Sequence, residues 1–294
     1  MKIFVCSGAF SKAATVADVI YFSQKLKIKN IELSSGLRCD LESEKLLLDS
    51  KDSNFLIHNY FPAPDVPFVL NLAAENIEDL KQSLEHCRRA IELCARIGSP
   101  IFSVHSGFAV SVHPSDLGSP DRWRARMRES EVDMTAARTR FIESVRQIAD
   151  YGATLGVDIL VENNVVAPEV VEAGYEHGLL NSEGEEIAEF FSALDRQNVG
   201  LLVDVGHVKV TSSSIKFQPE IFMETVKPFI RGVHLSDNDG RSDSNGKFSD
   251  DAWFWRHIIG NETIEFVVIE AYRLSSEEIL SQIEITEAWF KNAD

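Results

Sequence analysis

The sequence predicts a single-domain (β/α)8 barrel. Three observations predict it. Eight short apolar runs recur along the 294 residues, stretches with helical periodicity alternate with them, and no Pro-, Gly- or Ser-rich linker divides the chain. A short apolar run bounded by polar residues reads as a strand buried on both faces, which is what a parallel sheet covered by helices requires. One barrel domain spanning residues 1–294 is therefore expected. A doubly wound open sheet would need fewer strands and a glycine-rich phosphate turn after the first; Cys6-Ser7-Gly8-Ala9 is too sparse for that turn.

The runs fall at residues 3–6, 30–33, 55–57, 101–104, 158–161, 199–203, 230–233 and 266–269. An amphipathic stretch at 15–27 follows the first. Residues 75–97 place Leu80, Leu84, Cys87, Ile91 and Cys94 along one helical stripe. Residues 135–155 do the same through Phe141, Val145 and Ile148, and stop at Gly156. Helices at 185–194, 219–226 and 275–290 complete the series, the last opened by the N-cap chemistry of Ser275-Ser276-Glu277-Glu278. A weaker helical stretch lies at 251–259. Three connections, 61–68, 106–133 and 237–251, are longer than a βα loop needs. All follow strands, so all should overhang one mouth of the barrel. The arginines of 122–128 spread around a helix, which favours a solvated face over a lid gripping a phosphate.

Hydrophobic residues make up 44% and charged residues 26%, as in an ordinary globular protein with a sizeable core. The net charge of −17 opposes a broad phosphate-backbone footprint, so no nucleic-acid partner is expected. Cys6, Cys39, Cys87 and Cys94 form no CxxC pair and read as free thiols in a reducing, cytoplasmic setting. The first residues lack the apolar centre and cleavage site of a signal peptide, and no run approaches a membrane span, so no membrane partner is expected either.

The chemistry concentrates where apolar runs stop. Gly200-Leu201-Leu202-Val203 runs into Asp204, and Phe266-Val267-Val268-Ile269 into Glu270; Glu162 and His234 close the fifth and seventh runs in the same way. Singly, each has a bland reading: a helix-capping carboxylate, an aspartate bonded to local amides, a packed core histidine. Four at four consecutive strand ends point to a shared divalent-metal site, since active sites of such barrels lie at the carboxyl ends of the strands. A metal there can hold two adjacent oxygens of a hydroxy-carbonyl sugar, and two glutamates can move protons on the neighbouring carbon. Glu162 and Glu270 are the candidate acid/base pair. His58 and His105 end the third and fourth runs, and His207 follows Asp204 by three residues; these and Arg241 are candidate substrate contacts. Glu32 ends the second run and reads either as a mouth residue or as a buried carboxylate paired within the barrel. His86, His113, His177 and His257 read as surface or structural.

Four segments carry a resemblance: Glu162-Asn163-Asn164, Asp204-Val205-Gly206-His207, His234-Leu235-Ser236-Asp237-Asn238-Asp239-Gly240 and Ile269-Glu270. In this order they resemble the xylose-isomerase-like TIM barrel superfamily, particularly its sugar isomerase/epimerase branch. The resemblance implies that Glu162, Asp204, His234 and Glu270 hold one divalent metal, Mn2+ first and otherwise Mg2+, Co2+ or Zn2+. It also implies that Glu162 and Glu270 double as acid and base and that His207 binds substrate. The implied activity is isomerisation or epimerisation of a sugar or sugar phosphate, by proton transfer next to a carbonyl through an enediolate. Dehydration of a keto-polyol at the same site is the alternative. The apurinic-site endonuclease branch is a further one, since His58-Asn59-Tyr60 and Val104-His105-Ser106-Gly107 resemble it too. That branch uses a histidine shortly after the Asp-Asn-Asp-Gly stretch for an additional zinc; here Arg241-Ser242-Asp243-Ser244-Asn245-Gly246 has none, which favours one metal and sugar chemistry. A homo-oligomer is compatible with this reading.

Overall fold

In the computed structural model the described residues are all except 12, 35, 117–118, 130–131, 172–177 and 292–294. Eight parallel strands close into a barrel in sequence order: β1 Lys2–Cys6, β2 Asn30–Leu33, β3 Asn54–His58, β4 Ile101–His105, β5 Asp158–Glu162, β6 Val199–Asp204, β7 Ile230–Leu235 and β8 Phe266–Ile269. β8 pairs back onto β1 with Val5 opposite Ile269, so no edge is left unpaired. The eight expected runs become these eight strands, each within two residues of its expected bounds.

The helices are α1 Val16–Lys25, α2 Leu41–Asp49, α3 Ile77–Ile97, α4 Pro120–Glu129, α5 Met134–Leu155, α6 Pro168–Val171, α7 Gly184–Leu194, α8 Val205–Ile215, α9 Pro219–Val226, α10 Trp255–Ile258 and α11 Ser276–Lys291. Their ends carry the expected chemistry. Thr15 and Asp18 form a reciprocal capping box at α1, Asn76 accepts from two amides at the start of α3, and Asp133 caps α5. Gly98 and Gly156 close α3 and α5 at φ +73 and +69, a left-handed conformation that glycine adopts without a Cβ clash.

Two cores follow from the period-two alternation of each strand. Outward residues such as Val5, Ile31, Ile57, Val104, Val161, Val203, Val233 and Ile269 pack beneath the helices. Inward residues Phe4, Leu56, Ile101, Leu160, Leu202, Phe266 and Val268 fill the barrel. Phe4 and Phe266 meet edge-to-face at 5.8 Å. Gly232 makes room for this interior layer: a Cβ there would lie 2.5 Å from the Phe266 ring. The layer is a packed floor, and the mouth sits directly above it.

Cys6, Cys87 and Cys94 are buried free thiols, and Cys39 is half-buried. Burial pushes the Cys87 thiol up to about 12, which makes it inert at neutral pH. Among the described residues no helix is long and apolar enough to cross a membrane.

Candidate active site at the barrel mouth

The inward column of five strands runs from an apolar residue or a glycine to a titratable one. Leu56 is followed two residues on by His58, Leu160 by Glu162, Leu202 by Asp204, Gly232 by His234 and Val268 by Glu270. Parallel register then lays the ends side by side: Cys6 lies opposite Glu32, His105 opposite Glu162, and Asp204 opposite His234. Glu162, Asp204, His234 and Glu270 thus each offer one ligand atom, all within 4.8 Å of one another, and all four residues are buried.

Each member of this quartet is held from behind. Asp204 caps α8: its Oδ1 accepts from the His207 amide at 2.9 Å, so its bland reading holds for one oxygen. Its other oxygen, Oδ2, has no hydrogen bond. The Asp204 backbone is clamped by Asn163, whose Oδ1 accepts from the Asp204 amide at 2.8 Å. Gly206, in the first turn of α8, leaves no room for a side chain; a Cβ would lie 2.4 Å from Ser236 Oγ and 3.1 Å from Asp204 Oδ1. Glu32 reaches His234 Nε2 at 3.0 Å, which settles its role as a buried partner within the barrel. An ionised Glu32 can only accept, so Nε2 carries a hydrogen, and Nδ1 is the nitrogen turned toward the quartet, free to bind an ion once its own proton is displaced. Nδ1 lies 2.7 Å from Glu270 Oε2, yet the angle makes no hydrogen bond.

The charges crowd one another. Burial favours neutral His234, but the Glu270, Glu32 and Glu162 carboxylates outweigh it and raise its pKa well above the ordinary imidazole value. Burial opposes ionised Glu270 as well, and the neighbouring His234 holds that carboxyl well below the usual range. Glu162 is also depressed, its burial outweighed by His105, His58 and His234. Asp204 goes the other way: burial, then the nearby Glu270, Asp243 and Glu162 carboxylates, push it well up despite His207.

The expected substrate contacts divide. His58 and His105 do reach the mouth, but they converge on Glu162. Their Nε2 atoms are 3.1 Å apart, and each is 3.3 Å from Glu162 Oε2. Ser103 Oγ lies 3.0 Å from His58 Nδ1 and 3.4 Å from the Ile57 carbonyl, which fixes the ring's plane from behind with Nε2 toward Glu162. Burial pushes the His58 pKa down to about 3, against the pull of Glu162, and keeps the ring neutral. His58, His105 and Glu162 therefore form a second set able to hold an ion. His207 donates from Nδ1 to the Asn163 carbonyl at 2.8 Å and turns Nε2 to Asp243, 3.2 Å away. Arg241 is exposed, and among the described residues its side chain has no hydrogen bond or ion pair, so the structure leaves it outside the cluster.

Two residues near the cluster escape a reading of strand ends. Asp243 arrives because Asp237 and Gly246 exchange backbone hydrogen bonds at 2.9 and 2.7 Å, which folds the β7 loop back over the mouth. Tyr272, two residues past Glu270, donates its hydroxyl to Glu270 Oε1 at 2.8 Å. His86 is buried and bonded to the Asn59 carbonyl, a structural role as expected; His177 lies outside the described residues. The arginines of α4 are turned to local partners, Arg124 to Asp121 and Arg126 to Asp116.

Residues 35–269 match the family described as the xylose isomerase-like TIM barrel. The chain belongs to that family. An uncharacterized protein of Methanocaldococcus jannaschii is 23% identical over 181 residues, 62% of this chain and 52% of that protein, so the chain spans about half the length of the curated relative it matches. Among solved structures, a D-tagatose 3-epimerase-like protein superposes with a TM-score of 0.73 at 19% identity, covering 100% of this chain and 98% of its own. D-psicose 3-epimerase from Clostridium cellulolyticum H10, solved with D-tagatose, superposes at 0.68 with 12% identity and 99% of each chain covered. At these identities the likeness is one of fold.

A divalent ion fits this xylose isomerase-like mouth on its donor chemistry. Glu162 Oε2, Asp204 Oδ2 and His234 Nδ1 are buried without a hydrogen-bond partner, although buried polar atoms are nearly always paired. Three carboxylates share the pocket with one inward-facing imidazole nitrogen. Oxygen donors with one imidazole suit a hard or borderline ion such as Mg2+, Mn2+ or Zn2+.

Proposed function

We propose that the chain is a divalent-metal-dependent sugar isomerase or epimerase that transfers protons next to a carbonyl through an enediolate. The observation that carries the reading is the buried quartet with two glutamates in it. Glu162, Asp204, His234 and Glu270 would hold the ion, with Mn2+ as the first candidate. When bound, the ion supplies Lewis-acid polarisation of a substrate carbonyl. Glu162 and Glu270 then take a proton from the adjacent carbon and return one, and each lies in a buried pocket where a transferred proton is shielded from water. His207, anchored through Nδ1, presents Nε2 toward Asp243 and the mouth, placed to bond a substrate hydroxyl. The fold-level likeness to ketose 3-epimerases supports the reading without fixing the sugar.

The test is incubation of metal-loaded protein with a panel of ketoses and their phosphates. A metal-dependent epimer or aldose of unchanged mass is expected, lost on chelation. A product lighter by one water would assign the dehydratase alternative instead.

A second reading has its own observation. The His58, His105 and Glu162 set shares a carboxylate with the quartet, which is the layout of a two-metal phosphoester hydrolase. It does not depend on the histidine missing after Asp243. Against it stands the net charge of −17. Metal analysis separates the two: one ion per chain with no cleavage of abasic DNA leaves the sugar chemistry, while two ions with cleavage replaces it.

A further inference from the structure

We propose that Tyr272 is the positioning residue for Glu270, and that Gly8 is a glycine because the Tyr272 ring must lie over it. The proposal rests on the reading of Glu270 as a metal ligand and proton carrier. A glutamate carboxylate turns freely about its last torsion, so a ligand role needs something to fix its plane. Here the Tyr272 hydroxyl donates to Oε1 at 2.8 Å, while Oε2 faces His234 Nδ1 at 2.7 Å. One oxygen is thereby reserved for the hydroxyl and the other for the quartet.

The ring is placed by two neighbouring loops. The Tyr272 amide donates to the Asn245 carbonyl at 2.9 Å, tying it to the β7 loop. Arg273 and Leu274 donate to the Gly8 and Ala9 carbonyls at 3.0 and 2.9 Å, tying the same segment to the turn after β1. Between these ties the ring lies on Gly8, where a Cβ would come within 2.8 and 2.9 Å of Cε1 and Cδ1. Backbone stitching on both sides of a ring seated on a glycine sets the hydroxyl before any substrate arrives. That is the preorganisation that outer partners of metal ligands provide.

The test is calorimetric titration of Mn2+ into parent and Tyr272→Phe, with steady-state kinetics on whichever sugar turns over. Phenylalanine keeps the ring and its seat and deletes only the clamp. The variant is expected to bind Mn2+ about tenfold more weakly and to lose about tenfold in kcat with KM within about twofold of the parent. Gly8→Ala, which keeps the hydroxyl but displaces the ring, should weaken Mn2+ binding in the same direction. Parent-like Mn2+ affinity in Tyr272→Phe overturns the proposal. The titration needs no substrate, so failure of the sugar reading and failure of this one are separate results.

Discussion

Glu32 shows how a side chain remote from the open mouth can govern it. It sits on β2, fully buried, with Oε2 on His234 Nε2 and Oε1 unpaired. Burial raises its pKa, opposed by His234, so the pair shares charge in a dry interior. Its charge makes the His234 imidazole a more basic ligand, and its position fixes which ring nitrogen faces the quartet. Glu32→Gln retains an acceptor for Nε2 but removes the charge. It should bind Mn2+ about tenfold more weakly, read by calorimetric titration. Unchanged affinity would show that Glu32 is a packing residue only. The sequence marked Glu32 as a strand end with two readings, and distinguishing them required the fold, since His234 lies 202 residues further along the chain.

At the scale of elements, α3 supports the β3 turn through one buried imidazole. His86 is 1% exposed, its Nε2 bonds the Asn59 carbonyl at 3.1 Å, and its ring stacks on Tyr60. Asn59, at φ +48, follows His58 directly, so this contact steadies the end of β3. Burial, against the Asn59 bond, lowers the His86 pKa from 6.5 to about 4. Above pH 6.5 the ring is neutral in both folded and unfolded chains. Between 6.5 and about 4 the unfolded ring takes a proton that the folded ring does not, so stability is lost as pH falls through that window. The loss is on the order of 3 kcal/mol once pH is below the window. His86→Gln should therefore narrow the stability gap to the parent as pH drops from 7 to 4, measured by urea unfolding. A gap that stays constant contradicts this.

Some elements were legible in the sequence and others were not, for physical reasons. The strands were, because a parallel barrel strand is apolar on both faces and stops at a charge. The long helices α3 and α5 were, because their stripes are regular. The α2 helix was missed: its leucines 46, 47 and 48 are consecutive rather than spaced along one face, and most of it is exposed. The α8 helix was missed because it starts directly after Asp204 with no loop, in a stretch rich in Val, Thr and Ser that has weak helix propensity. Burial of Val205, Val208, Val210 and Thr211 overrides that propensity. Asp243 was beyond reach because the Asp237–Gly246 pairing that returns its loop leaves no periodic trace.

Over the whole molecule, closure of eight strands brings residues from β2 to β8 and the loops beyond into one buried cluster. Strand-end positions in the sequence identified the quartet, and the barrel adds the partners behind it: Glu32, Asn163, Asp243 and Tyr272. It also moves His58 and His105 from general substrate contacts to a set facing Glu162. The central claim is that this cluster removes and returns a proton beside a sugar carbonyl. The most direct measurement is turnover of ketoses in D2O by the metal-loaded protein, read by NMR. Deuterium at the carbon next to the carbonyl, dependent on metal and lost in Glu270→Gln, is the predicted result. No incorporation across a broad panel, with metal shown to be bound, would contradict it.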